Sequence, residues 1–187
     1  MTTAPTRSSS ATRRQEGLFR LGKKWRKATL IVHIVSAGAW IGIDVMVAVL
    51  VLTGRFGTTD AVRGLAYEAL ATFVVWPMLT SGLVCLVTGI VLGLGTRWGL
   101  LRYWWVAVKL ALNLTLCVLI LVALRPGMDE VGEYGRSLGT GVPEPLDVSG
   151  LFFPPAVSLT TLTLATVLAV AKPWGRIRGA RKGGGPR

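Results

Sequence analysis

Four stretches of the chain, near residues 28–53, 70–95, 100–124 and 151–171, are almost continuously apolar. Each is long enough, at ~1.5 Å per residue, to cross ~30 Å of hydrocarbon as a helix. A soluble domain would intersperse these residues with charge. Here 51% of the 187 residues are hydrophobic, mean hydropathy is +0.56, and the apolar residues are bunched. Unbroken runs, rather than alternating segments of ~10 residues, exclude an outer-membrane barrel. The sequence predicts an all-α fold, an integral membrane four-helix bundle over residues 28–171, between basic tails at 1–27 and 172–187.

The net charge of +12 lies outside the bundle. Residues 1–27 hold eight Lys/Arg and one acid, and residues 172–187 hold six Lys/Arg and no acid. The segment between them has seven bases and eight acids. Basic flanks beside apolar spans follow the positive-inside rule, so the expected partners of the tails are anionic lipid head groups and not nucleic acid. Residues 54–69 are nearly balanced (Arg55 and Arg63 against Asp60 and Glu68). Residues 125–150 are acidic (Asp129, Glu130, Glu133, Glu144 and Asp147 against Arg125 and Arg136). Both suit the outside, while Arg97 and Arg102 suit the inside. The expected topology is N-in/C-in with four crossings of a bacterial inner membrane. The apolar run continues past Ala37-Gly38-Ala39 to Leu52, too long for a cleaved signal.

The connecting segments are expected to be loops, because Pro143 and Pro145 disfavour a regular helix across 125–150. The Ser/Thr/Arg-rich residues 1–15 and the Gly-rich end are expected to be disordered. Trp76-Pro77 should kink or start the second span, and Pro154-Pro155 suits the first turn of the fourth. Trp98, Trp104 and Trp105 read as interface anchors.

The first span carries the only histidine, His33, and an aspartate, Asp44. At 100° per residue, His33, Ser36, Trp40 and Asp44 share one face, with Gly38 and Gly42 on the other. Gly82, Cys85, Gly89 and Gly93 line one face of the second span. Lys109, Asn113 and Cys117 line the third, and Ser158, Thr161 and Thr166 the fourth. Rise per residue places Asn113 near the depth of Asp44. The expected intramembrane polar network is therefore Asp44, Lys109, Asn113 and Ser36, with Asp44 turned away from lipid. Ionisable groups inside a membrane are expensive enough to mark function, yet each also has a structural reading as a satisfied core group. Cys85 and Cys117, without C-x-x-C spacing, read as small packing residues. No P-loop, dinucleotide-binding glycine pattern, H-E-x-x-H or G-x-S-x-G is present. No metal site is expected.

The segments "LIVHIVSAGAWIGIDV", "SGLVCLVTGIVLGLGTRWGLLRYWWVAVKLALN" and "VLAVAKPWGRIRG" resemble a family of small, uncharacterised bacterial integral membrane proteins. That resemblance covers about residues 28–180 and implies four spans and no activity. More distantly, H-x6-W-x-G in the first span and the later W-x3-K are similar to the copper-resistance D family and the HemJ-type membrane protoporphyrinogen oxidases. This second resemblance implies a haem b cofactor, with His33 as axial ligand, Trp40 packing on the ring and Lys109 as a propionate partner. The chain has one histidine, so bis-His ligation would need a homodimer. A copper role lacks soft ligands, since the outer segments offer only Met128. Three readings follow. The first is a non-catalytic structural or accessory subunit, partnered by a second copy or a membrane complex. The second is a haem-binding or redox protein using His33. The third is a transporter or proton-relay element using Asp44, Lys109 and Asn113. Whether the protein is an enzyme is open at this point.

Overall fold

The computed structural model describes residues 22–95, 104–141 and 146–171. The expectations for the tails up to residue 21 and from 172, for Arg97, Trp98 and Arg102, and for Pro143 and Pro145 fall outside these residues. What is described is helical. The helices are α1 (Lys23–Phe56), α2 (Asp60–Phe73), α3 (Val75–Gly95), α4 (Trp104–Leu119), α5 (Met128–Thr140) and α6 (Phe153–Ala171). Four helical stretches, Lys23–Phe56, Val75–Gly95, Trp104–Thr140 and Ser149–Ala171, are long and apolar enough to cross a membrane. In the apolar tier α1 packs on α3 and α6, and α4 packs on the same two, which closes a ring of four helices.

The segments expected as loops are helices instead. α2 starts at a Thr59 cap, whose side chain accepts from the Val62 N–H at 3.3 Å, and Asp60 occupies its first turn. It runs back along the end of α1. The chain bends at Val74, and α3 restarts one residue later with Pro77 in its first turn. Pro77 has no N–H to continue the ladder from α2. The apolar run that began at residue 70 is thus divided between two helices. The helical path of α4 passes through a π turn at Ile120–Leu124 and a 3-10 turn at Arg125–Gly127 into α5. Pro126 in that second turn breaks the regular ladder. α5 stops at Gly141, whose φ of 76° favours glycine.

With 34 residues, α1 is about 51 Å long, well beyond a ~30 Å hydrocarbon layer. Its last turns join α2 and α5 in a second, more polar tier. α2 and α5 meet backbone to backbone. A Cβ on Gly64 would lie 2.5 Å from the Gly135 carbonyl oxygen, and one on Gly135 2.7 Å from that of Gly64. Tyr67, 1% exposed, lies against Gly54 of α1, with its ring centroid 5.3 Å from that of Tyr134. Burial and the Tyr134 phenol hold Tyr67 above its ordinary pKa of 10.0. Arg63 fastens this corner, donating from Nε to the Gly54 carbonyl and pairing with Asp60, each at 3.0 Å.

Candidate functional site

The buried stripe on α1 runs Ser36, Trp40, Asp44, Val47, Val51, Gly54. Its i, i+3, i+4 spacing winds one face against the other helices. The polar side chains along it fall into two groups and not one network.

The first group joins α1 to α3. His33 Nδ1 lies 3.1 Å from the Cys85 carbonyl oxygen and 3.0 Å from Thr88 Oγ1. A carbonyl only accepts, so Nδ1 carries the hydrogen and the neutral ring keeps its lone pair on Nε2. The ring rests over Gly89, where a Cβ would lie 3.3 Å from His33 Cε1. Ser36 turns its hydroxyl to the His33 carbonyl at 3.0 Å. On α4, the Cys117 thiol donates to Asn113 Oδ1 at 3.5 Å. Lys109 holds its ammonium 4.8 Å from the Trp105 ring centroid. Both cysteines are buried free thiols.

The second group joins α1 to α6. Asp44, 0% exposed, accepts from the Ser158 hydroxyl at 2.6 Å through Oδ2. This corrects the expected pairing with Asn113 or Lys109. Asp44 does turn inward, but its face is covered by α6, while Asn113 is engaged by its own helical neighbour Cys117. Depth alone chose the wrong helix, because it carries no information on which neighbour covers which side. Ser158 was visible only as part of a hydroxyl-lined face. Of the other two hydroxyls on that face, Thr166 bonds back to the Leu162 carbonyl at 2.8 Å.

Trp40 stands between the two groups and is also 0% exposed. Its slot exists because residue 82 is glycine. A Cβ there would lie 2.9 Å from Trp40 Cη2 and Cζ3 and 3.1 Å from Cys117 Sγ. Trp40 Nε1 and Asp44 Oδ1, one helical turn apart, have no hydrogen-bond partner among the described residues, and the same holds for the Tyr67 hydroxyl. Leaving such a group unpaired costs about 1–3 kcal/mol.

The haem expectation is tested by these contacts. The His33 tautomer is the one that metal ligation through Nε2 uses. Trp40, however, is enclosed by Gly82 and Cys117 and has no face to offer a macrocycle. The groove that opens beside α1 is walled by residues such as Val35, Ser36 and Ile43, and His33 is not among its lining residues. Among the described residues, His33 and Trp40 therefore do not face this groove together as a haem ligand and a ring-packing neighbour would. Among the described residues no three His, Cys, Asp or Glu side chains cluster to hold a metal ion. Comparison with protein-family models, with curated proteins and with solved structures finds no match.

Proposed function

We propose that the chain is a non-catalytic integral membrane protein, a structural or accessory subunit of the bacterial inner membrane that crosses the bilayer four times with both tails inside. The carrying observation is where the chemistry-bearing side chains go. Asp44 and Trp40 are completely enclosed, and His33 is bonded to the α3 backbone. His33 and Asp44, two of the ionisable groups that the sequence offers for catalysis or transport, are thus used to tie α1 to α3 and α6.

What α1 turns outward is apolar. A Cβ on Gly38 or Gly42 would meet nothing within 4 Å, whereas Gly54, Gly64, Gly82 and Gly135 all lie in close contact with other helices. Two glycines four residues apart on an uncovered apolar helix permit another helix to approach closely. This supports a second copy or another membrane subunit as the partner. The basic tails support the orientation and contact with anionic head groups.

A proton-relay reading has one observation in its favour, the unpartnered Oδ1 of buried Asp44. One preparation tests both. The tagged chain is extracted from membranes in mild detergent, sized on native gels, and reconstituted into vesicles. The expected result is a species larger than the 20.0 kDa chain in its micelle, reduced in size by the double change Gly38→Ile, Gly42→Ile, with vesicles that show no proton flux. A monomer that drives a proton flux abolished by Asp44→Asn would overturn the accessory reading.

A further inference from the structure

One flank of the α1/α3 pair carries an open groove. It measures ≈ 690 Å³ and runs between the helices, walled by Val35, Ala39 and Ile43 on α1 and by Trp76, Thr80 and Val84 on α3. It is open because small residues line its floor. Ser36 and Ser81 lie there with their hydroxyls turned back to the carbonyls of His33 and Met78, at 3.0 and 2.9 Å. The floor therefore spends its donors on its own helices and presents carbon to the groove. The α1 wall extends from Ile31 to Ile43, which at ~1.5 Å per residue is about 18 Å.

The two ends differ. Trp76 closes one end, and the Arg125 guanidinium lies 5.6 Å from its ring centroid. Trp76 is the second residue of α3, and Arg125 directly follows the π turn that ends the apolar run of α4. Both therefore stand where the apolar tier gives way to the polar one, the level at which Trp and Arg meet lipid head groups. Arg125 is exposed and forms no ion pair among the described residues. An open apolar groove with a cation stacked on its terminal tryptophan complements an amphiphile with an anionic head. A purely apolar partner helix would fill the groove but leave the arginine without an anion.

We infer that this groove binds a phospholipid, with one acyl chain lying along α1 and α3 and the phosphate on Arg125. The guanidinium fork matches phosphate oxygens, and the Trp76 ring fixes the arginine's position. The inference rests on the chain spanning a bilayer and is independent of the partner proposed for Gly38 and Gly42.

The test uses the full chain, delipidated by detergent exchange and offered phosphatidylglycerol or phosphatidylcholine, with bound lipid counted by native mass spectrometry. One phospholipid per chain is expected on the wild type. Arg125→Gln should weaken binding about tenfold, the loss of one charge-assisted hydrogen bond. Thr80→Trp and Ala39→Leu, which fill the groove from opposite walls and leave Arg125 in place, should each abolish it with helix content by circular dichroism unchanged. Inorganic phosphate alone should not bind. Equal retention by the wild type and all three variants overturns the inference. So does a membrane-extracted wild type that binds no phospholipid, and that result leaves the accessory-subunit reading standing.

Discussion

Asp44 and Ser158 are 114 positions apart and share one hydrogen bond inside the apolar tier. If that bond holds α6 to α1, Asp44→Leu and Ser158→Ala should each destabilise the protein. A double-mutant cycle should return a coupling of about 0.6–1.7 kcal/mol, from the average to the largest value measured for interhelical hydrogen bonds in a membrane protein. The readout is denaturant unfolding in detergent. Pairing Asp44→Leu with Asn113→Ala should give additive effects, because Asn113 bonds to Cys117 instead. Additivity in the Ser158 cycle and coupling to Asn113 would reverse the assignment. At this scale the sequence exposed which residues are special but not whom they meet. The inward face of α1 followed from period alone. The partner of Asp44 depends on which helix closes the ring beside it, and no local pattern encodes that. The same holds for Trp40. Its size and position were visible, but its slot is created by Gly82, 42 positions away, which read only as one of several small residues on a face.

Among the elements, α2 and α5 departed furthest from expectation. Their charge balance and the nearby prolines suggested loops, yet their periodicity was available. α5 buries Met128, Val131, Gly132, Gly135 and Leu138, a spacing of three and four. It also begins with Asp129 and Glu130, which suit a helix start. Glycines at two of the five contact positions hid the stripe, because glycine scores as neither apolar nor helical. Those glycines have opposite energetics from a neighbour on the same helix. Gly135→Ala places a methyl against the Gly64 carbonyl and the Glu68 backbone, and should cost about 1–3 kcal/mol by forcing the helices apart. Gly139→Ala adds a methyl where nothing lies within 4 Å, and should be neutral or stabilise by about 0.5–1 kcal/mol through helix propensity. Thermal unfolding of the two variants in detergent checks the contrast. Similar shifts in both would mean that α2 and α5 do not touch through Gly64 and Gly135.

For the molecule as a whole, the four long apolar helices were legible because hydrocarbon thickness and helical rise fix the length of a span independently of sequence detail. The proposed orientation, with both tails inside, rests on charge at the ends and is directly testable. A reporter active only outside the inner membrane should be silent when fused after Arg187 and active when inserted at Gly139, which is exposed near the end of α5. The opposite pattern would invert the topology. The second tier was not legible, since it depends on α1 continuing past its apolar run as one helix. That continuity has a mechanical consequence. Asp44 and Gly54 lie on the same rigid rod, about 15 Å apart along its axis, one fastened to Ser158 and the other braced by Tyr67. The rod cannot slide or turn by even one residue without releasing both fastenings at once. A displacement of the polar tier would therefore be carried along α1 to the Asp44–Ser158 bond.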